Sequence, residues 1–359
     1  MYKKIVNYFY LALTLLFISP SLLASNFYEN KTITVIVGVP AGSGGDVSAR
    51  TFMAELQNHI PGNPKIIVRN MAGAGGSKAL NYTFEKSKAN GLSFYYGNWD
   101  PMGVIAGSKG IRYIPEKFGV IGSAANERGT IVRTDIGEGL KKREDIVKNS
   151  AIRVGGRSSK NINDMVGNLA LRILNVNFRY IPGFKGMSKM APGILTGELQ
   201  AGHTAAGGYA KFFRMSTEEG DTMMLYYHPF FDAEGNEIIP KVKPFSKDVP
   251  SLSELYHSIN GTYPSGIEWE TYKWLRSNVH STSPAFIAPP GTTEESLNIL
   301  RNATKKTWSN KQFIDKWKSQ FRSLPHVNST EATIAAFSNY MKINKNQLKV
   351  VKKLIKLGK

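Results

Sequence analysis

Residues 37–50, VGVPAGSGGDVSAR, and residues 70–78, NMAGAGGSK, hold the clearest chemistry in this chain. In each, an apolar run enters a glycine-rich turn and leaves it as a helix. Glycine lets the main chain come close to a ligand, and the first N–H groups of a helix have no internal acceptor. The helix dipole adds partial positive charge, so two such ends side by side make a pocket for a carboxylate or a phosphate. The nucleotide versions of this device do not fit. A dinucleotide turn needs glycine at its first, third and sixth positions. Gly42 and Gly44 supply two, but Val47 takes the sixth, and counted from Gly73 the sixth is Lys78. Neither turn has the later glycine, lysine and hydroxyl residue of a phosphate loop. The anion-binding candidates are therefore Gly42, Ser43, Gly44, Gly45 and Asp46 in the first turn, and Gly73, Ala74, Gly75 and Gly76 in the second. Asp46 reads either as a helix N-cap or as a partner for a ligand amine or hydroxyl.

Other chemistry is sparse. The chain has no cysteine, which excludes disulfides, thiolate zinc sites and thiol nucleophiles. The histidines at 59, 203, 228, 257, 280 and 326 lie far apart, and neither a zinc H-E-x-x-H motif nor a G-x-S-x-G elbow is present. DAEGNE begins like a calcium loop but does not continue as one. No metal, no cofactor and no catalytic residue are expected. The formal net charge of +19 invites a nucleic-acid reading. Scattered lysines and an export signal argue against it. The dense run KINKNQLKVVKKLIKLGK places Leu348, Val351, Leu354 and Ile355 at helical spacing with lysines between. It reads as a solvated helix face or as one drawn to an anionic membrane.

Positioning the turns requires alternating strands and helices. Residues 1–25 read as a secretory signal peptide: two lysines, an apolar run from Tyr8 to Ile18, then Pro20 and small residues. From Thr32, TITVIVGV is a strand apolar on both faces, and Ala49, Met53, Leu56 and Ile60 form one helix stripe. KIIVRN, a helix SKALNYTFEKSK and LSFYYGN follow. A second set of strands comprises GTIVRTD, IRVGG, NFRYIPG and TMMLYYH. Its helices are GLKKREDIVKN, INDMVGNLALRIL and MSKMAPGILTGEL. HPFFDAEGNEIIPKVK predicts a hairpin around Glu234–Asn236. SPAFIAPPG is a late strand, Thr292 and Glu295 have capping-box spacing for the next helix, and a long helix ends the chain. Such alternation implies parallel sheets in two α/β domains. The expected division is a first lobe of residues 26–127 and 223–359 and a second lobe of residues 128–222. Ligands of open α/β sheets lie beyond the carboxyl ends of strands, which adds Asn98 and Trp99, the latter as cleft wall or packing residue. Phe184 sits similarly in the second set, and two facing aromatics would suit a flat or apolar ligand body.

VGVPAGSGGDVSAR, IIVRNMAGAGGSKA and ANGLSFYYGN together resemble the N-terminal signature of tripartite tricarboxylate receptors, the Bug-type periplasmic solute-binding proteins. IRVGGRSSKNINDMVGNLALRI and RYIPGFKGMSKMAPGILTGELQAG are similar to that family's second-lobe segments, and PFSKDVPSLSEL to a later one. The resemblance spans roughly residues 32–205, and thinly 245–300. It implies a type II-like, two-lobed binding protein, each lobe a mainly parallel sheet flanked by helices. Backbone amides of both turns would hold one carboxylate, partly through water, while the second lobe closes with Ser158, Ser159 and the turn containing Gly183 and Phe184. The ligand would be a small organic carboxylate. It would be delivered to membrane transporter subunits or, in the alternative, sensed by a kinase; an exported enzyme is the remaining reading. A periplasmic monomer with no nucleic-acid partner is expected. Arg157 stands where the family has small residues, and reads either as a solvent-facing arginine or as a guanidinium that forks onto a second carboxylate or polar group of the ligand.

Overall fold

The computed structural model describes residues 27–358 except 100, 106, 233 and 241, so the expected signal peptide lies outside the described residues. The first sheet has the order β13-β4-β12-β3-β1-β2. Its strands are β1 (Thr32–Val37), β2 (Lys65–Asn70), β3 (Ser93–Gly97), β4 (Gly119–Ala125), β12 (Ala285–Ala288) and β13 (His326–Asn328). β1 pairs in parallel with β2 and β3, and β12 runs antiparallel between β3 and β4. The second sheet has the order β7-β6-β8-β5-β9, with β5 (Arg128–Arg133), β6 (Ile152–Gly155), β7 (Phe178–Ile181), β8 (Ala201–Ala205) and β9 (Thr222–Tyr227). β6 is parallel to β7 and β8, and β5 antiparallel to β8 and β9. The helices used below are α1 (Gly44–Leu56), α2 (Ser77–Glu85), α3 (Ile162–Ile173), α4 (Met187–Leu195), α5 (Ala206–Phe212), α6 (Gly266–Asn278), α7 (Glu294–Ser309), α8 (Lys311–Phe321), α9 (Thr330–Asn339) and α10 (Lys345–Ile355).

The unbroken apolar run of β1 is explained by cover on both faces. Ile33, Val35 and Val37 meet Ala49, Phe52 and Met53 of α1, where Phe52 stacks on Phe286 at 5.0 Å. Ile36 faces Ala79 and Leu80 of α2 and Tyr95. Each such buried large side chain contributes roughly 1.5–3 kcal/mol. The second lobe packs Val154, Met165, Val166 and Leu169 with Tyr272 and Leu275 of α6.

The structure corrects several sequence expectations. Residues 223–359 do not all return to the first lobe. β9 is an edge strand of the second sheet, α6 packs on α3, and the apolar stripe of α10 (Val350, Val351, Leu354) enters the second-lobe core. Burial of that stripe leaves the lysines of α10 on the outside, which accounts for its amphipathic pattern. The segment GLKKREDIVKN forms only a short 3-10 turn, Arg143–Lys148. The cap of α7 is Thr293, not Thr292, whose hydroxyl instead donates to the Pro289 carbonyl. The chain ends in three helices from α8 to α10 rather than one long one. The hairpin is present as β10 (Phe230–Phe231) and β11 (Glu237–Ile238). No helix of the described residues is long and apolar enough to cross a membrane.

Only Asn126 and Glu127 separate β4 of the first sheet from β5 of the second. This short crossing brings the strand ends of both lobes onto one cleft.

Candidate functional site: a two-chambered cleft

The first turn is built around a buried carboxylate. Ser43 caps α1, accepting from the Asp46 N–H at 3.4 Å. Asp46 is therefore not the cap. Its carboxylate accepts from Gly42 N–H at 2.8 Å, Asn70 Nδ2 at 2.9 Å and Arg50 Nε at 3.0 Å. Burial alone would raise the Asp46 pKa; the donors from Gly42, Asn70 and Arg50 outweigh it and leave the pKa below its ordinary value. Asp46 thus ties the turn to the end of β2 and has no oxygen turned to a ligand chamber. Asp46→Ala is expected to cost about 2–4 kcal/mol in urea unfolding, as loss of a buried charged hydrogen-bond network does. Because the folded pKa is depressed, the contribution is complete above the unfolded carboxylate pKa. It fades as pH falls through the folded value, and a pH-independent loss would contradict this assignment.

The turn's remaining amides are free for a ligand. The N–H groups of Gly44 and Gly45 find no acceptor among the described residues, and both glycines line an inner chamber of ≈ 70 Å³. That chamber is walled by Ser43, Asn98 and Tyr96 from the first lobe and by Arg128, Asn163, Asp164 and His203 from the second. One oxygen of Asp164 is already committed: its Oδ2 accepts from the N–H groups of Arg157 and Ser158 and from the Tyr180 hydroxyl at 2.6, 3.0 and 2.9 Å. It shapes the turn between β6 and α3. His203 is neutral, since burial pushes its pKa down to about 3.

Arg128, the first residue of β5, dominates the chamber electrostatically. It is only 8% exposed, one Nη donates to Asn98 Oδ1 at 3.3 Å, and its Nε has no partner among the described residues. Burial, then the nearby Arg157 and Arg276, pushes its pKa down to about 9, so it stays charged at neutral pH. A buried, under-bonded cation is a costly arrangement unless an anion completes it.

The second turn opens on a different, outer chamber of ≈ 730 Å³, also lined by Trp99, Ser158, Gly183 and Phe184. Ala74 and Gly75 have φ of 47° and 66°, and their amides have no acceptor among the described residues. A Cβ on Gly75 would meet nothing nearer than 3.7 Å, so the backbone angle rather than space calls for glycine. Lys160, Lys185 and Lys189 stand on this chamber's wall, and no carboxylate lines it among the described residues. Arg157 and Val39 line both chambers. The Arg157 guanidinium makes no hydrogen bond within the described residues.

Of the residues expected from sequence, Ser43, Gly44, Gly45, Asn98 and Arg157 line the inner chamber. Gly73–Gly76, Trp99, Arg157, Ser158, Gly183 and Phe184 line the outer one. The two turns therefore do not converge on a single chamber. Three residues lie on neither wall. Gly42 accepts from Lys211 Nζ across the lobes, Asp46 holds the first turn, and the Ser159 hydroxyl donates to the Ile355 carbonyl at 2.7 Å, tethering α10. Trp99 is 2% exposed, its ring tilted against Phe337 at 4.3 Å and its Nε1 donating to the Thr282 hydroxyl, so it is chiefly a packing residue. Sequence reasoning missed Arg128, Asn163 and Asp164. Their one signal is position: Arg128 immediately follows a lobe crossing, and Asn163 and Asp164 open a helix after a strand.

No family model and no curated protein matches the chain. Solved structures do. The periplasmic binding protein BugD superposes with a TM-score of 0.66 at 17% identity, over 91% of this chain and 98% of BugD. MatC from Rhodopseudomonas palustris with bound malate gives 0.64 at 16% identity, over 89% of this chain and 99% of MatC. An R. palustris protein with adipate gives 0.65 at 16% identity, over 90% of this chain and 97% of that one. This chain therefore has the two-lobed α/β fold of the periplasmic solute-binding proteins.

Proposed function

We propose that the protein is an exported solute-binding receptor of the tripartite tricarboxylate type. It captures a small organic carboxylate between its lobes and passes it unchanged to a membrane transporter. The observation that carries this reading is Arg128: a buried, under-bonded guanidinium on the wall of the inner chamber, which the free amides of Gly44 and Gly45 also line. A carboxylate completes both sets of donors. A longer ligand continues past Arg157 toward Gly73–Gly76. The fold shared with malate- and adipate-bound proteins supports a carboxylate of this kind, and the N-terminal leader pattern supports export.

Native mass spectrometry of the purified protein tests the reading through any ligand that copurifies, and calorimetry with malate and adipate tests it directly. Arg157→Ala is expected to weaken a bound dicarboxylate by about 1.5–3 kcal/mol, the range for a hydrogen bond to a charged group. An unchanged dissociation constant would place that guanidinium outside the contact. Turnover of the bound acid would overturn the receptor reading altogether.

A further inference from the structure

Behind the wall of the inner chamber lies a polar chain that the carboxylate reading leaves unexplained. Arg276 of α6 is fully buried. Its Nε donates to the Pro229 carbonyl at 2.9 Å, one Nη to the His228 carbonyl at 2.7 Å, and the other to His280 Nδ1 at 2.7 Å. The guanidinium also lies 4.2 Å over the Phe230 ring. On the far side of the imidazole, His280 Nε2 is 2.8 Å from Asn163 Oδ1. Asn163 is the next member of this chain, and it lines the chamber.

Donor and acceptor roles follow without choice. A guanidinium has only N–H groups to offer, so His280 Nδ1 must present its lone pair. His280 is 1% exposed, and burial, then Arg276, holds its pKa well below the ordinary histidine value, so the ring is neutral. A neutral ring with a bare Nδ1 carries its proton on Nε2 and donates to Asn163 Oδ1. The amide of Asn163 is thereby fixed with its NH₂ free. That group has no partner among the described residues, and Asn163 is part of the chamber wall.

We propose that Arg276 and His280 are positioning residues that set the hydrogen-bond polarity of Asn163, so that Asn163 presents an N–H donor to the ligand alongside Arg128 and the amides of Gly44 and Gly45. The chamber then selects for an oxyanion head and rejects a neutral amide or ester of the same shape. Its affinity arm rests on the carboxylate reading above; the polarity itself does not.

Two substitutions of nearly equal volume separate this role from a structural one. In His280→Gln, the amide oxygen accepts from Arg276 and the NH₂ donates to Asn163, so the polarity is kept. In His280→Glu, both oxygens accept. Arg276 remains paired, but Asn163 must turn its NH₂ back toward residue 280 and show its carbonyl to the ligand. With malate and adipate as calorimetric probes, His280→Gln is expected to stay within about fivefold of the parent affinity. His280→Glu is expected to lose a hundredfold or more, while thermal unfolding shows both variants folded. In an Asn163→Ala background the loss from His280→Glu should shrink to about tenfold or less, because the carrier of the effect is gone. Equal losses in both variants, or a loss undiminished in the Asn163→Ala background, overturn the proposal. Should neither acid bind the parent protein, the carboxylate reading fails, but the polarity is still decided. Long-range ¹⁵N–¹H correlation of ¹⁵N-histidine protein, with His280→Gln to assign the signal, is expected to find His280 protonated on Nε2. Protonation on Nδ1 refutes the lock.

Discussion

Arg128→Met is expected to weaken carboxylate binding by about 3–5 kcal/mol, the scale seen when one partner of a buried charged pair is removed. The same substitution should stabilise the ligand-free protein. The opposite signs have one cause. In the free protein the guanidinium is buried with its Nε unpaired, and its depressed pKa records the cost of keeping the charge there. Methionine has a similar length and no charge, and replacing a poorly compensated buried charge by an apolar side chain is neutral or stabilising by about 1–4 kcal/mol. In the complex that charge is the principal attraction for the ligand, and methionine supplies nothing in its place. Calorimetry and ligand-free thermal unfolding read the two effects separately. A variant that binds normally removes Arg128 from the site. One that binds poorly and also melts lower marks Arg128 as a structural residue instead.

Gly44→Ala should be nearly as damaging to binding, for a steric reason. Gly44 begins α1 on the first lobe and faces the start of α5. A Cβ built there would lie 2.3 Å from the Gly208 nitrogen and 2.6 Å from the Gly207 carbonyl carbon. Both atoms are main chain, so no side-chain rotation relieves the overlap. The reciprocal contact is equally tight: a Cβ on Gly207 would sit 2.7 Å from the Gly44 oxygen. The two helix starts pack backbone to backbone where the cleft is closed, so a methyl group holds them apart. Overpacking of this kind costs about 1–3 kcal/mol or more. The Gly44→Ala cleft should stay open, with a larger radius of gyration by small-angle scattering and at least a hundredfold weaker carboxylate binding. Gly45→Ala is the matched control. Its Cβ would meet only the Val39 side chain, at 3.3 Å, which can give way. If Gly44→Ala scatters and binds like Gly45→Ala, this contact does not govern closure.

The sequence by itself determined the elements and their ends. The continuous apolar run of β1 announces a strand covered on both faces. The stripe of Ala49, Met53 and Leu56 announces a helix against it, and glycines between the two announce a helix start whose amides are free. These are patterns of period and composition within a dozen residues, and local sterics enforce them wherever the segment lies. What lay beyond that range was decided by the tertiary structure. Asp46 reads as a cap until Asn70, on another strand, is seen to share its carboxylate with Arg50. Ser159 reads as a ligand contact until α10 brings the Ile355 carbonyl to it from 196 residues away. The apolar stripe of α10 shows that it must pack, but not against which lobe, because either core would bury it equally well. Arg128 has no motif around it at all. It becomes a site because a two-residue crossing places the first residue of β5 inside the cleft, and only the packing of both lobes removes water from its guanidinium. Burial and charge compensation are sums over neighbours brought from the whole chain, and no local pattern of residues encodes such a sum.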